Sequence, residues 1–127
     1  MDDLLERRLT GAIITSFYRV YDDLGFGFLE SVYISALLIE LTARGIRVQR
    51  EAPIDVYYRG IEVGHFRADL LVEGKVIVEV KASLKVTEAD RKQVLNYLRG
   101  TSLELGLLLH FGPKASFQRL IYTNQAR

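Results

Sequence analysis

Asp69, Glu79 and Lys81 are the residues of this 127-residue chain whose types and spacing could do chemistry. They lie in residues 65–81, HFRADLLVEGKVIVEVK, where two apolar–polar alternations flank Glu73-Gly74-Lys75. Period-two alternation is the mark of a strand, and a Gly-containing break between two such runs is the mark of a hairpin. A three-residue loop at 73–75 sets Val72 against Val76, Asp69 against Glu79 and Arg67 against Lys81. Because strand side chains alternate between faces, Phe66, Ala68, Leu70, Val72, Val76, Val78 and Val80 then form one wholly apolar face that must be buried. Asp69, Glu79 and Lys81 share the other face, with the two carboxylate-bearing Cβ atoms about 5 Å apart. A two-residue turn would shift the pairing by one and separate them.

Two carboxylates held that close repel unless a cation or a proton lies between them. An oxygen-rich site of this kind suits Mg²⁺ or Mn²⁺. Lys81 could hold an attacking water or offset charge developing on a phosphate. The plainer alternative is a solvated strand face with a cross-strand ion pair. Glu-x-Lys is a weak signal alone, and a second copy, Glu73-Gly74-Lys75, is simply the turn.

Two further elements bring polar groups toward the same region. Glu30 sits at the edge of an apolar stripe formed by Tyr33, Ile34 and Leu37, which directs its carboxylate inward. It would equally complement the dipole in the first turn of a helix. Gln93 and Tyr97 are four residues apart and share a helix face beside the core positions Val94 and Leu98. A surface amide next to a half-buried phenol is the other reading of that pair. Gly27 reads as a turn glycine.

The elements that must position these residues follow from periodicity. Leu5, Leu9, Ile13, Phe17, Val20 and Leu24 have helical spacing, and Gly25-Phe26-Gly27 ends that helix. A second helical pattern runs from Leu29 to Leu41, with Gly45 as its stop. Residues 46–52 and 54–58 read as two strands separated by Pro53, with a turn at Arg59-Gly60. The hairpin strands span 62–72 and 76–81. Thr87 then opens a helix, with Asp90 completing a capping box, and the helix runs to Gly100. Residues 105–111 form a nearly continuous apolar run, consistent with a buried strand, and 117–122 form a last strand. The order ααβββ(β)αββ predicts one α/β (α+β) domain over residues 1–127, with a mixed central sheet flanked by helices.

Composition narrows the class. Usage is 49% hydrophobic and 26% charged, which excludes a disordered chain. With no cysteine, a disulfide scaffold, thiolate zinc and a cysteine nucleophile are excluded together. His65 and His110 are too few and too far apart in sequence to suggest a His-rich metal site. Residues 1–74 carry 8 Lys and Arg against 12 Asp and Glu, and residues 75–127 carry 9 against 4. A basic C-terminal half is compatible with a phosphate-rich partner, although ordinary solvated surface accounts for it as well. The start is acidic where a signal peptide is basic, and the apolar runs are shorter than the roughly 20 residues that cross a bilayer. A soluble, intracellular (cytoplasmic) protein with no membrane partner is expected.

With these residues assembled, the chain resembles a known family. Gly27-Phe28-Leu29-Glu30-Ser31-Val32-Tyr33 is similar to the signature of the GxxExxY proteins. Asp69 followed by Glu79-Val80-Lys81 resembles the core of the PD-(D/E)XK nuclease superfamily. Gln93-Val94-Leu95-Asn96-Tyr97 resembles the QxxxY motif of the branch that contains the RecB and Cas4 nuclease domains. Ala68 stands where the superfamily name has Pro. The resemblance implies a restriction-endonuclease-like core and a Mg²⁺- or Mn²⁺-dependent nuclease, acting on DNA ahead of RNA. It implies metal-site roles for Glu30, Asp69 and Glu79, a catalytic role for Lys81, and site-orienting or substrate contacts for Gln93 and Tyr97. A non-catalytic nucleic-acid-binding or regulatory partner that keeps the fold is the alternative. A homodimer or larger assembly that completes the substrate groove is a third.

Overall fold

In the computed structural model the protein is described over residues 2–123. The side chains of residues 1–5, Leu5 among them, and residues 124–127 lie outside the described residues. The elements are α1 (Asp2–Leu24), α2 (Glu30–Ala43), β1 (Val48–Tyr58), β2 (Ile61–Val72), β3 (Val76–Lys81), α3 (Glu88–Arg99), β4 (Leu105–Phe111) and β5 (Ala115–Ile121). The strands form a mixed sheet in the order β1-β2-β3-β4-β5. Among the described residues only β3 and β4 pair in parallel, and α3 is their crossover, since parallel neighbours cannot be joined by a tight turn. Among the described residues, no helix is long and apolar enough to cross a membrane.

Helices cover both faces of this sheet. Ile13, Phe17 and Val20 of α1 and Tyr33, Leu37 and Leu41 of α2 pack on Leu70, Val72, Val76, Val78, Val80 and the odd-numbered residues of β4. Val94, Tyr97 and Leu98 of α3 pack on Ile54, Ala68, Ile77, Leu108 and Leu120 from the opposite side. Gly106 lets α3 come close, because a Cβ there would lie 2.6 Å from Val94 Cγ1.

The local signals account for the helix ends. Gly45 (φ 78°) follows α2 in a Schellman arrangement, with its N–H on Thr42 O and that of Ile46 on Leu41 O. Thr87 caps α3: its hydroxyl accepts from Asp90 N, and the Asp90 carboxylate accepts from Thr87 N. Arg59-Gly60 is a two-residue turn with positive φ at both positions, the kind that suits a hairpin.

Two expectations are corrected. Pro53 does not divide a strand, and β1 runs through it in register with Arg67. As the outer strand of the sheet, β1 can place a residue without N–H where no partner waits. Nor is the even-numbered face of the hairpin continuous. Leu70, Val72, Val76, Val78 and Val80 join the α1/α2 core, but Ala68 packs with the α3 core and Phe66 is 47% exposed, 5.9 Å from the Tyr97 ring. The β1–β2 ribbon changes sides at Asp69 and the opposing Glu51, which has a left-handed φ of 53°. Such a φ is uncommon outside glycine.

Candidate active site

The three-residue loop is present, and Lys75 N–H closes it on Val72 O. The β2–β3 ladder is Val72↔Val76, Leu71↔Ile77 and Leu70↔Val78, and there it stops. One step further, at Asp69 and Glu79, side chains replace the backbone pairing. Asp69 N–H donates to Glu79 Oε2 at 2.7 Å, and Val80 N–H donates to Asp69 Oδ2 at 2.8 Å. Each carboxylate thus satisfies a backbone donor of the opposite strand, which the parting of the strands would otherwise leave without a partner. Arg67, expected opposite Lys81, instead pairs across to β1, with Glu51 at 3.9 Å.

This odd-numbered face is not solvated, because α3 lies over it. Glu79 is 3% exposed. Burial, followed by the charge of Asp69, pushes the Glu79 carboxyl up to about 8. Burial also raises Asp69, opposed by the hydrogen bond from Val80 N–H and reinforced by the charge of Glu30. Lys81 reaches toward α3, with Nζ 3.9 Å from Asp90 Oδ1. Asp90 was legible in the sequence only as a cap, and the structure gives it this second contact.

Glu30 is the first residue of α2, and its carboxylate turns inward to accept Ala82 N–H at 3.3 Å. Both readings of Glu30 therefore hold. The preceding loop is fixed by Tyr33, whose hydroxyl donates to Gly25 O and accepts Phe28 N–H. The Tyr33 ring stacks on Phe111 at 4.0 Å. From the other side of the sheet, Gln93 Nε2 donates to Tyr97 OH at 3.1 Å. Tyr97 is 6% exposed, so it is a buried phenol rather than a half-buried one. Burial, followed by the charge of Glu79, raises its pKa. Glu30, Asp69, Glu79, Lys81, Gln93 and Tyr97 thus converge where β2 and β3 separate, between α2 and α3.

The carboxylates are not drawn into one tight cage. No choice of one oxygen each from Glu30, Asp69 and Glu79 puts all three within 4.8 Å of one another. Asp55, Glu62 and His65 do satisfy that spacing, on the β1–β2 ribbon. Sequence reasoning missed this group because its members meet only through the Asp55↔His65 register and the shift at Val56/Tyr57. Glu62 and His65 are exposed and Asp55 is partly so.

Comparison with known proteins gives one family and one fold. The family model described as the PD-(D/E)XK nuclease superfamily matches residues 7–120. The crystal structure of SSO0001 is similar, with a TM-score of 0.55 at 17% identity over 76% of this chain and 51% of that one. This chain thus spans about half the length of that structure, and at such identity the likeness concerns the fold alone. No curated protein matches the sequence.

Proposed function

The chain belongs to the PD-(D/E)XK nuclease superfamily, and from that membership we propose that it is a metal-dependent nuclease that hydrolyses phosphodiester bonds of nucleic acid, DNA ahead of RNA. The observation that carries the reading is the interlocked pair Asp69 and Glu79 at the end of the β2–β3 ladder, with Lys81 on the same strand.

The donor set suits Mg²⁺ or Mn²⁺. The oxygens are hard ligands, and two carboxylates, Glu79 buried and Asp69 partly buried, whose charged forms are disfavoured gain from a cation beside them. Mg²⁺ commonly keeps several waters and takes one or two carboxylates together with substrate phosphate. That suits the interlocked Asp69–Glu79 pair, with Glu30 as a further carboxylate from α2. When bound, the ion polarises a phosphate oxygen and lowers the pKa of a water.

The chain's own groups then divide the work. Asp69 and Glu79 hold the ion, each with one oxygen already fixed by a backbone N–H of the opposite strand. Glu30 adds a third carboxylate from α2. Lys81 positions the attacking water or offsets charge on the phosphate oxygens. Gln93 and Tyr97 orient the site from α3. In hydrolysis the oxygen of water bonds to phosphorus, one P–O ester bond breaks, and the leaving oxygen takes up a proton. The GxxExxY and QxxxY assignments gain support from the roles of Tyr33 in fixing the loop before Glu30 and of Tyr97 in receiving Gln93.

The test is cleavage of labelled single- and double-stranded DNA and RNA, with Mg²⁺ and with Mn²⁺. Cleavage by the wild type that a chelator abolishes is expected. Retention of these nucleic acids without cleavage under either metal favours the non-catalytic binding partner instead.

A further inference from the structure

His110 is buried and polar, and the reaction described above makes no use of it. It lies on β4 as the register partner of Lys81. Its Nε2 is 2.9 Å from Ser83 O and 3.1 Å from Ser83 Oγ. A carbonyl can only accept, so Nε2 carries the hydrogen in that bond, while Nδ1 faces Ser116 Oγ at 3.5 Å. Ser83 Oγ also donates to Lys85 O.

The seat of the ring is built for it. A Cβ at Gly112 would lie 2.4 Å from His110 Cε1 and within 3.0 Å of both ring nitrogens, so only glycine leaves room there. The Gly112 backbone is itself anchored, because its carbonyl accepts from Tyr21 OH at 2.7 Å. The segment that His110 grips is the exit from β3. Ala82, between Lys81 and Ser83, donates its N–H to Glu30. The start of the 82–87 connection is therefore held twice, by Glu30 through Ala82 and by His110 through Ser83.

We propose that His110 is a positioning residue for the reaction assigned above. Its imidazole, seated on Gly112, pins Ser83 and thereby fixes both the Ala82–Glu30 contact and the direction in which Lys81 leaves β3. The role in rate rests on the nuclease reading, whereas the role in fixing the segment does not.

The test uses His110→Phe, His110→Gln and Gly112→Ala in the full chain, read by amide hydrogen exchange at Ala82 and by cleavage kinetics. Phe keeps the ring and loses the donor. The amide of Gln can place a donor near the position of Nε2. Ala at 112 displaces the ring without touching it chemically. His110→Phe and Gly112→Ala are expected to speed exchange at Ala82 by about tenfold or more, since its protection depends on local order. They are expected to lower kcat by roughly 10- to 100-fold with KM little changed, the scale of a small misplacement of a reacting group. His110→Gln is expected to recover most of both. Wild-type exchange at Ala82 in both His110→Phe and Gly112→Ala would overturn the proposal, as would a loss in His110→Gln as large as in His110→Phe. If His110→Phe fails to fold, Gly112→Ala and His110→Gln decide. If the wild type cleaves no nucleic acid, the nuclease reading falls, and the exchange data alone judge whether His110 fixes the segment at Ser83.

Discussion

Glu79 accepts the backbone N–H of Asp69 at 2.7 Å, one residue beyond the last backbone pair of the β2–β3 ladder. The hairpin therefore separates at its two carboxylates, and they serve as both the final rung of the β2–β3 ladder and the proposed ligand pair. The arrangement places negative charge where burial disfavours it, and the first prediction follows from that conflict.

In the metal-free protein the folded-state pKa of Glu79 lies near 8, against 4.5 for the ordinary carboxyl. Between those values the folded state keeps a proton that the unfolded state has released, so raising the pH costs stability. The stabilising contribution is complete below about pH 4.5 and gone above about pH 8, and Asp69 shifts in the same sense. Glu79→Gln keeps an acceptor for Asp69 N–H and carries no charge. Thermal melts of the metal-free proteins from pH 5 to pH 8 should show the wild type falling relative to Glu79→Gln. Parallel curves would contradict the assignment of a buried, proton-holding Glu79.

Divalent binding should run through the same pair. Titration calorimetry with Mn²⁺ at pH 8 is expected to show binding in the wild type that Asp69→Ala abolishes. Because a ligand of the folded state stabilises it, Mn²⁺ should also raise the wild-type melting temperature and leave that of Asp69→Ala unmoved. Equal binding by both proteins would remove Asp69 from the site.

Val78 tests the framework below the site. It is fully buried in the α1/α2 core, opposite Leu70. Val78→Ala should cost on the order of 1–3 kcal/mol through lost transfer free energy and the cavity left behind. Denaturant unfolding measures this, and a loss below about 0.5 kcal/mol, as at a surface position, would mean that this face is not core.

The register of this hairpin was legible because a period-two pattern on each side of a Gly-containing turn admits few pairings that bury every valine. The α3 cap was legible for a similarly local reason, since Thr87 and Asp90 satisfy each other within one turn. The face change at Asp69 was not legible. The fates of Phe66 and Ala68 depend on the twist of the β1–β2 ribbon and on α3, which approaches through Gly106, and no local pattern encodes either. Pro53 misled because propensity cannot tell an outer strand from an inner one. The site residues could be read singly as candidates. Their convergence could not, because Glu30, Asp69 and Gln93 sit on different elements and meet only once both helical layers are in place. Asp90 and His110 were missed as neighbours of the site because their contacts to Lys81 and Ser83 are long-range or lie across the sheet.

Lys81 carries the central claim. It lies on the face of Glu79, at the last residue of β3, with its ammonium 3.9 Å from Asp90. Both side chains are largely buried, and Asp90 keeps its capping bond from Thr87 N–H when the lysine is removed. If Lys81 acts on the water or on developing phosphate charge, its loss should cost rate alone. The most direct measurement compares nucleic-acid cleavage by the wild type and Lys81→Ala, with melting temperature and Mn²⁺ affinity recorded on the same samples. The expected result is a fall in cleavage rate of roughly 10²–10³-fold, with melting temperature and Mn²⁺ affinity nearly unchanged. Equal cleavage by Lys81→Ala and wild type would contradict the account.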